Sequence, residues 1–130
     1  MFKDKSILIT GGTGSFGQHF IRKVLDNYEP SRLIIYSRDE LKQYNLSNTL
    51  MKIRSRTKVR FFIGDVRDKD RLNFAIQEDV DILIHAAALK QVPTSEYNPF
   101  ETIKTNVVGA QNVIQVCLEK NIKKVMTLFF

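Results

Sequence analysis

A parallel β-sheet covered by helices on both faces is the fold class this sequence predicts, with five strands in the order 3-2-1-4-5. Two observations carry that expectation. Short apolar runs alternate five times with helix-length segments, and the first run leads without a break into a glycine-dense turn and a helical pattern. Strands separated by helices pair in parallel, because each crossover returns the chain to the same end of the sheet. Right-handed crossovers then set the strand order, and ligands are expected beyond the carboxyl ends of the strands, where that order reverses.

The first strand is expected over Ile7 to Thr10. It ends in Gly11-Gly12-Thr13-Gly14-Ser15-Phe16-Gly17, which satisfies G-x-G-x-x-G from Gly12 and T-G-x-x-G-x-x-G from Thr10. Glycine serves a different need at each place: a tight turn, the approach of a pyrophosphate to backbone, and close packing of helix on strand. The N–H groups and positive dipole end of the following helix attract the anion. A glycine pattern alone is a weak signal; the strand before it and the helix after it make it a dinucleotide-binding signature. That helix runs from about Ser15 to Asn27, with Phe16, Phe20, Ile21, Val24 and Leu25 in one apolar stripe, and Glu29-Pro30-Ser31 breaks it.

Leu33 to Tyr36 is a continuous apolar run that suits a buried parallel strand. A second helix is expected over Asp39 to about Ile53, with Leu41, Tyr44, Leu46, Leu50 and Met51 facing inward. Val59 to Ile63 reads as the third strand, closed by Gly64-Asp65. Asp68 then caps a third helix that turns Leu72, Ala75 and Ile76 to the core. Ile82 to Ile84 makes the fourth strand, followed by Ala86-Ala87-Ala88, and Gln91 to Asn98 reads as a loop. The longest helix starts near Pro99, where proline fits the first turn, and keeps Ile103, Val107, Ala110, Ile114 and Cys117 at helical spacing up to Asn121. Lys124 to Leu128 is the fifth strand.

Composition narrows the function classes. A chain of 130 residues holds one domain of ordinary size, and 43% hydrophobic with 26% charged residues is the balance of a soluble globular protein. No apolar run reaches the roughly 18 residues of a membrane span, and no signal-peptide core precedes the first strand, so the cytoplasm is expected. A single cysteine, Cys117, excludes an internal disulfide and falls on an apolar helix face, as a packed thiol. Two histidines, His19 and His85, are too few for a metal centre, and each reads as a surface or packed side chain. The net charge of +6 suits an anionic ligand without identifying one. Lys52, Arg54, Arg56, Lys58 and Arg60 form a basic cluster without interleaved aromatics, which reads as a solvated face rather than a nucleic-acid site.

Chemistry-bearing residues collect at the strand ends. Tyr36-Ser37-Arg38-Asp39 follows the second strand, with Lys42 one helical turn further. A ribose with both hydroxyls free meets a carboxylate at this place, whereas a 2′-phosphate takes hydroxyl and guanidinium donors. Ser37, Arg38 and Lys42 favour NADP; Asp39 keeps NAD open. After the third strand Asp65 is a candidate acceptor for the adenine amino group and Val66 a packing surface for the ring, with a turn-closing role for Asp65 as the alternative. The alanines after the fourth strand, Ala86 first, let backbone approach the cofactor. Lys90 stands just beyond, within reach of cofactor or substrate or simply exposed.

These segments together resemble the extended short-chain dehydrogenase/reductase superfamily with its Rossmann-type sheet. Thr10 to Gly17, Ser37-Arg38-Asp39-Glu40-Leu41-Lys42, Phe62 to Asp68 and His85 to Pro93 narrow the likeness, and Glu96-Tyr97-Asn98-Pro99 with Lys104-Thr105-Asn106 complete it. The chain is similar, from Ile7 to about Leu128, to the inverting UDP-N-acetylglucosamine 4,6-dehydratases and their capsule-biosynthesis relatives. The resemblance implies a nicotinamide cofactor held by Gly11, Thr13, Gly14, Ser15, Phe16, Gly17, Ser37, Arg38, Asp39, Lys42, Asp65, Val66, Ala86 and Lys90. It places the sugar nucleotide beside Lys90 and Gln91. It also implies a lyase for surface-glycan sugars, a homo-oligomer at full length, and no nucleic-acid partner.

The family's reaction moves a hydride from C4 of the hexose to NADP⁺, loses water across C5 and C6, and returns the hydride to C6. It needs Y-x-x-x-K and an Asp-Lys pair after the fifth strand. Neither is present: Tyr28, Tyr36, Tyr44 and Tyr97 have no lysine four residues on. The expectation is therefore a cofactor-binding domain over residues 1–130, cut short after the fifth strand, without turnover of its own. A non-catalytic NAD(P)-binding regulatory module is the alternative, and an epimerase or a retaining dehydratase remains open within the enzyme class.

Overall fold

The structure, a computed structural model, describes residues 1–77, 79–87 and 99–129. Strands β1 (Ser6–Thr10), β2 (Arg32–Ser37), β3 (Lys58–Ile63), β4 (Ile82–Ala87) and β5 (Lys124–Phe129) form one parallel sheet in the order β3-β2-β1-β4-β5. The helices described are α1 (Ser15–Asn27), α2 (Glu40–Leu50), α3 (Lys69–Ala75) and α4 (Pro99–Glu119). The expected order and element sequence are those found.

Alternate residues of each strand feed two cores. Ile7, Ile9, Leu33, Ile35, Ile82 and Ile84 pack with Ile21, Val24 and Leu25 of α1 and with Leu46 and Leu50 of α2. Leu8, Ile34, Tyr36 and Leu83 pack on the other face with Leu72 of α3 and with Val113, Val116 and Cys117 of α4. Burial on both faces is why the central strands read as unbroken apolar runs. At the carboxyl ends, the row facing α3 and α4 turns polar: Thr10 pairs in register with Tyr36 on one side and with His85 on the other, and His85 with Thr127.

Two helix faces differ from expectation. On α2, Leu41, Tyr44 and Met51 are exposed, while the buried stripe is Gln43, Leu46 and Leu50. A glutamine occupies a core position because its amide is consumed inside: Gln43 Nε2 reaches the Ser37 and Phe62 carbonyls and the Ser37 hydroxyl. On α4, Val107 and Ile114 are exposed, and Val113, Val116 and Cys117 face the sheet. A helix apolar on several sides offers more than one stripe at the same period, and tertiary packing selects among them. The thiol of Cys117 is pushed up to about 11 by burial, as a packed cysteine should be. The basic cluster from Lys52 to Arg60 is exposed as expected, and His19 lies on the surface. Among the described residues no helix is long and apolar enough to cross a membrane.

Candidate nucleotide site

The β1–α1 turn uses its glycines unequally. Gly11 has a φ of +73°, and a Cβ there would stand 2.5 Å from the Ala86 carbonyl oxygen, so both the turn and its seat on β4 require glycine. At Gly17 a Cβ would lie 2.6 Å from Gly12 Cα, which is the close helix-to-turn contact. Gly14 is different. Its φ of −72° suits any residue, and among the described residues the nearest atom to an added Cβ is the Gly11 carbonyl oxygen, 3.7 Å away. Of the two overlapping motifs, T-G-x-x-G-x-x-G is therefore the one whose spacing the backbone follows, with the tight turn at Gly11 rather than Gly12.

Gly14 is also the N-cap of α1, and this helix start has neither a side-chain cap nor an acidic residue in its first turn. The starts of α2 and α3 are built oppositely. Asp39 accepts from the Lys42 N–H with Glu40 following, and Asp68 accepts from the Arg71 N–H with Asp70 following. Carboxylates complement the positive helix end; α1 leaves that complement to come from outside. Thr13 is buried and its carbonyl takes the Gln18 side chain, while Ser15 and Phe16 are exposed at the rim, Phe16 stacked on Phe20 at 6.2 Å.

At the end of β2, Ser37 is buried and its Oγ accepts from Gln43 Nε2 at 2.8 Å. Arg38 and Lys42 are exposed, and Asp39 spends one carboxylate oxygen on capping α2. Arg38 lies 3.8 Å from the Asp65 carboxylate, which joins the ends of β2 and β3 into one charged cluster.

The Asp65 carboxylate is heavily engaged. One oxygen accepts the Arg67 backbone N–H at 2.9 Å, and the other takes the Arg67 guanidinium at 2.8 and 3.1 Å. Partial burial works to raise its pKa, but the Arg67 hydrogen bonds and the charges of Arg67 and Arg38 outweigh it and hold the carboxyl below its ordinary range. Asp65 thus takes the turn-closing role that the sequence offered as the alternative, and Asp68 caps α3 as expected. Beneath them the Tyr36 hydroxyl donates to the Asp65 carbonyl at 2.9 Å. Burial first, then the charges of Asp68 and Asp65, keep that phenol neutral by raising its pKa.

At the end of β4, buried Ala86 lies directly against Gly11, and His85 is buried beside Thr10, with Thr10 Oγ1 and His85 Nδ1 hydrogen-bonded at 2.6 Å. Burial alone lowers the His85 pKa, so the imidazole is neutral at neutral pH. Lys90 and Gln91 lie outside the described residues. Gly11, Thr13, Gly14, Ser15, Phe16, Gly17, Ser37, Arg38, Asp39, Lys42, Asp65, Val66 and Ala86 all fall at the carboxyl ends of β1 to β4 or on the first turns that follow. Gln43, Asn112 and the Thr10–His85 hydrogen bond also shape this end of the sheet and were not singled out from sequence; Gln43 reaches Phe62 across 19 residues, Asn112 reaches Val66 across 46 and Thr10 reaches His85 across 75, so no local motif marks them. Arg67 differs, since it binds Asp65 two residues before it.

Known proteins are similar to this chain in sequence and in fold. An inverting UDP-N-acetylglucosamine 4,6-dehydratase of Campylobacter jejuni subsp. jejuni serotype O:23/36 (strain 81-176) is 57% identical over 128 residues, which are 98% of this chain and 37% of that protein. The X-ray structure of Pen from Bacillus thuringiensis superposes with a TM-score of 0.86 at 39% identity, over 98% of this chain and 37% of that one. A double mutant of DesIV, a dTDP-glucose 4,6-dehydratase from Streptomyces venezuelae crystallised with NAD and DAU, gives 0.76 at 28% identity, over 92% of this chain and 37% of that one. The chain thus spans about 37% of the length of these relatives. The sheet is Rossmann-like, and the model of the polysaccharide biosynthesis protein family matches residues 7–129, so the chain belongs to that family.

Proposed function

We propose that this chain is the NADP-binding part of a sugar-nucleotide 4,6-dehydratase acting on UDP-N-acetylglucosamine or a close relative, in the making of surface-glycan sugars. The observation that carries the cofactor reading is the space over Gly14. Among the described residues no atom demands a glycine there, and α1 begins with neither a side-chain cap nor an acidic residue in its first turn. A pyrophosphate supplies both missing features at once. Thr13, Gly14, Ser15 and Phe16 would face that group, with Gly11 and Gly17 shaping the turn.

Arg38, Lys42 and the Ser37 hydroxyl would take a 2′-phosphate; Asp65 and Val66 would meet the adenine, and Ala86 would bring backbone close to the ribose. Lys90 and Gln91 would border the sugar nucleotide. Arg38 is chosen over Asp39 as the determinant because Asp39 is committed to its helix cap while the Arg38 guanidinium is open to solvent. When bound, the nicotinamide supplies a reversible hydride acceptor.

The protein's part is to hold that ring at the sheet's switch point. Y-x-x-x-K is absent from these 130 residues, so binding without turnover is proposed for them. Fluorescence titration with NADPH and with NADH tests the reading: NADPH binds, and more tightly than NADH. Incubation with NADP⁺ and UDP-N-acetylglucosamine gives no 4-keto sugar. Tighter NADH binding overturns the choice of cofactor, and a 4-keto product overturns the proposed lack of turnover.

A further inference from the structure

Three consecutive carbonyls of the turn after β3 are each held by a side chain from elsewhere in the fold. The Tyr36 hydroxyl donates to the Asp65 carbonyl at 2.9 Å. The Asn112 amide, on α4, donates to the Val66 carbonyl at 2.8 Å and to the Arg67 carbonyl at 3.0 Å. Gly109, one turn before Asn112, lets Val66 seat against the helix, since a Cβ there would stand 2.7 Å from Val66 Cγ2. Farther along, Lys69 of α3 pairs with Glu119 of α4 at 2.6 Å, so the helix is anchored on both sides of the contact.

We propose that Asn112, together with Tyr36, is a positioning residue that holds Asp65 and Val66 in the shape that reads the base of the nucleotide. This rests on the dinucleotide reading above and adds to it a source of base selectivity outside the binding residues themselves. A turn left to itself loses conformational entropy when it orders, and a ligand that must order it binds more weakly by that cost. Here the ordering is done in advance. Both hydrogens of the Asn112 amide point at the turn, and the Tyr36 phenol, neutral and buried, remains a donor. Neither residue needs to touch the nucleotide, and no local motif signals Asn112, which sits 46 residues from Val66 in sequence.

The test is calorimetric titration of the whole chain, unaltered and as Asn112→Ala or Tyr36→Phe, with NADPH, its hypoxanthine counterpart and reduced nicotinamide mononucleotide. Asn112→Ala lowers NADPH affinity about tenfold, the loss expected for one to two hydrogen bonds. It also shrinks the preference for adenine over hypoxanthine and leaves the mononucleotide unaffected. Tyr36→Phe keeps the ring in the core, moves the same readouts the same way, and carries the test alone should Asn112→Ala fail to fold. The double variant loses less than the two single losses combined, because both act through one turn.

An unchanged adenine preference in the folded variants overturns the proposal. So does an equal loss for all three ligands, which is what a purely structural role produces. If the unaltered, folded chain binds none of them, the dinucleotide reading falls and takes this proposal with it, a result distinct from the other two.

Discussion

Gly14 and Gly17 stand one helical turn apart and separate ligand binding from folding. Among the described residues a methyl group at Gly14 makes only an ordinary contact, 3.7 Å from the Gly11 carbonyl oxygen, whereas one at Gly17 runs into the backbone of Gly11 and Gly12. Gly14→Ala should therefore change unfolding free energy by less than about 1 kcal/mol, the scale of an N-cap exchange, while reducing NADPH affinity at least tenfold. Gly17→Ala should lose about 1–3 kcal/mol by overpacking, measured by urea denaturation. Arg38→Ala should lower NADPH affinity by about tenfold and leave NADH nearly unchanged, the signature of a guanidinium that meets only the 2′-phosphate. Equal losses for both coenzymes would place Arg38 elsewhere. At this scale the sequence was informative wherever residue type and position speak together, as at Gly11, Asp68 and the buried Cys117. It was silent on Gln43 and Asn112, polar side chains whose value lies in carbonyls that only the folded chain brings near.

Among the elements, the strands were legible and the helix faces less so. β1, β2 and β4 are sandwiched, so apolar runs alone mark them. On α2, Leu41, Tyr44 and Met51 keep helical spacing of their own, and the true inner stripe includes a glutamine, which periodicity reads as outward. The Thr10–His85 pair ties the ends of β1 and β4 directly under the glycine turn. Because burial lowers the folded-state pKa of His85, the unfolded chain takes up a proton first as pH falls. The group's contribution is complete above its unfolded value of about 6.5 and is lost between there and the lower folded value. Denaturation midpoints measured from pH 7.5 downward should fall in that window, and His85→Gln should flatten the fall; an identical profile in the variant would remove His85 as the cause. Among the described residues β5 pairs with β4 alone and lies at the sheet edge, with Val125 40% exposed. An apolar edge strand recruits other chains, so the 130-residue protein should self-associate in sedimentation, and Val125→Lys should shift it toward monomer. A dilute, stable monomer without that change would contradict this.

For the molecule as a whole, the strand order followed from a glycine turn between a buried strand and a helix within repeated α/β alternation, and the family followed from the likeness of several linked segments at the strand ends. What stayed hidden was how the ends are braced against one another, through Tyr36, His85, Gln43 and Asn112, because bracing depends on side chains far apart in sequence. Those braces matter for the central claim, that the polypeptide presents a pre-shaped cradle for a phosphorylated nicotinamide dinucleotide. Isothermal titration of the folded 130-residue protein with NADPH tests it most directly. The account predicts one NADPH per chain, bound more tightly than NADH. Heat signals indistinguishable from buffer for both coenzymes, from protein shown by circular dichroism to be folded, would contradict it.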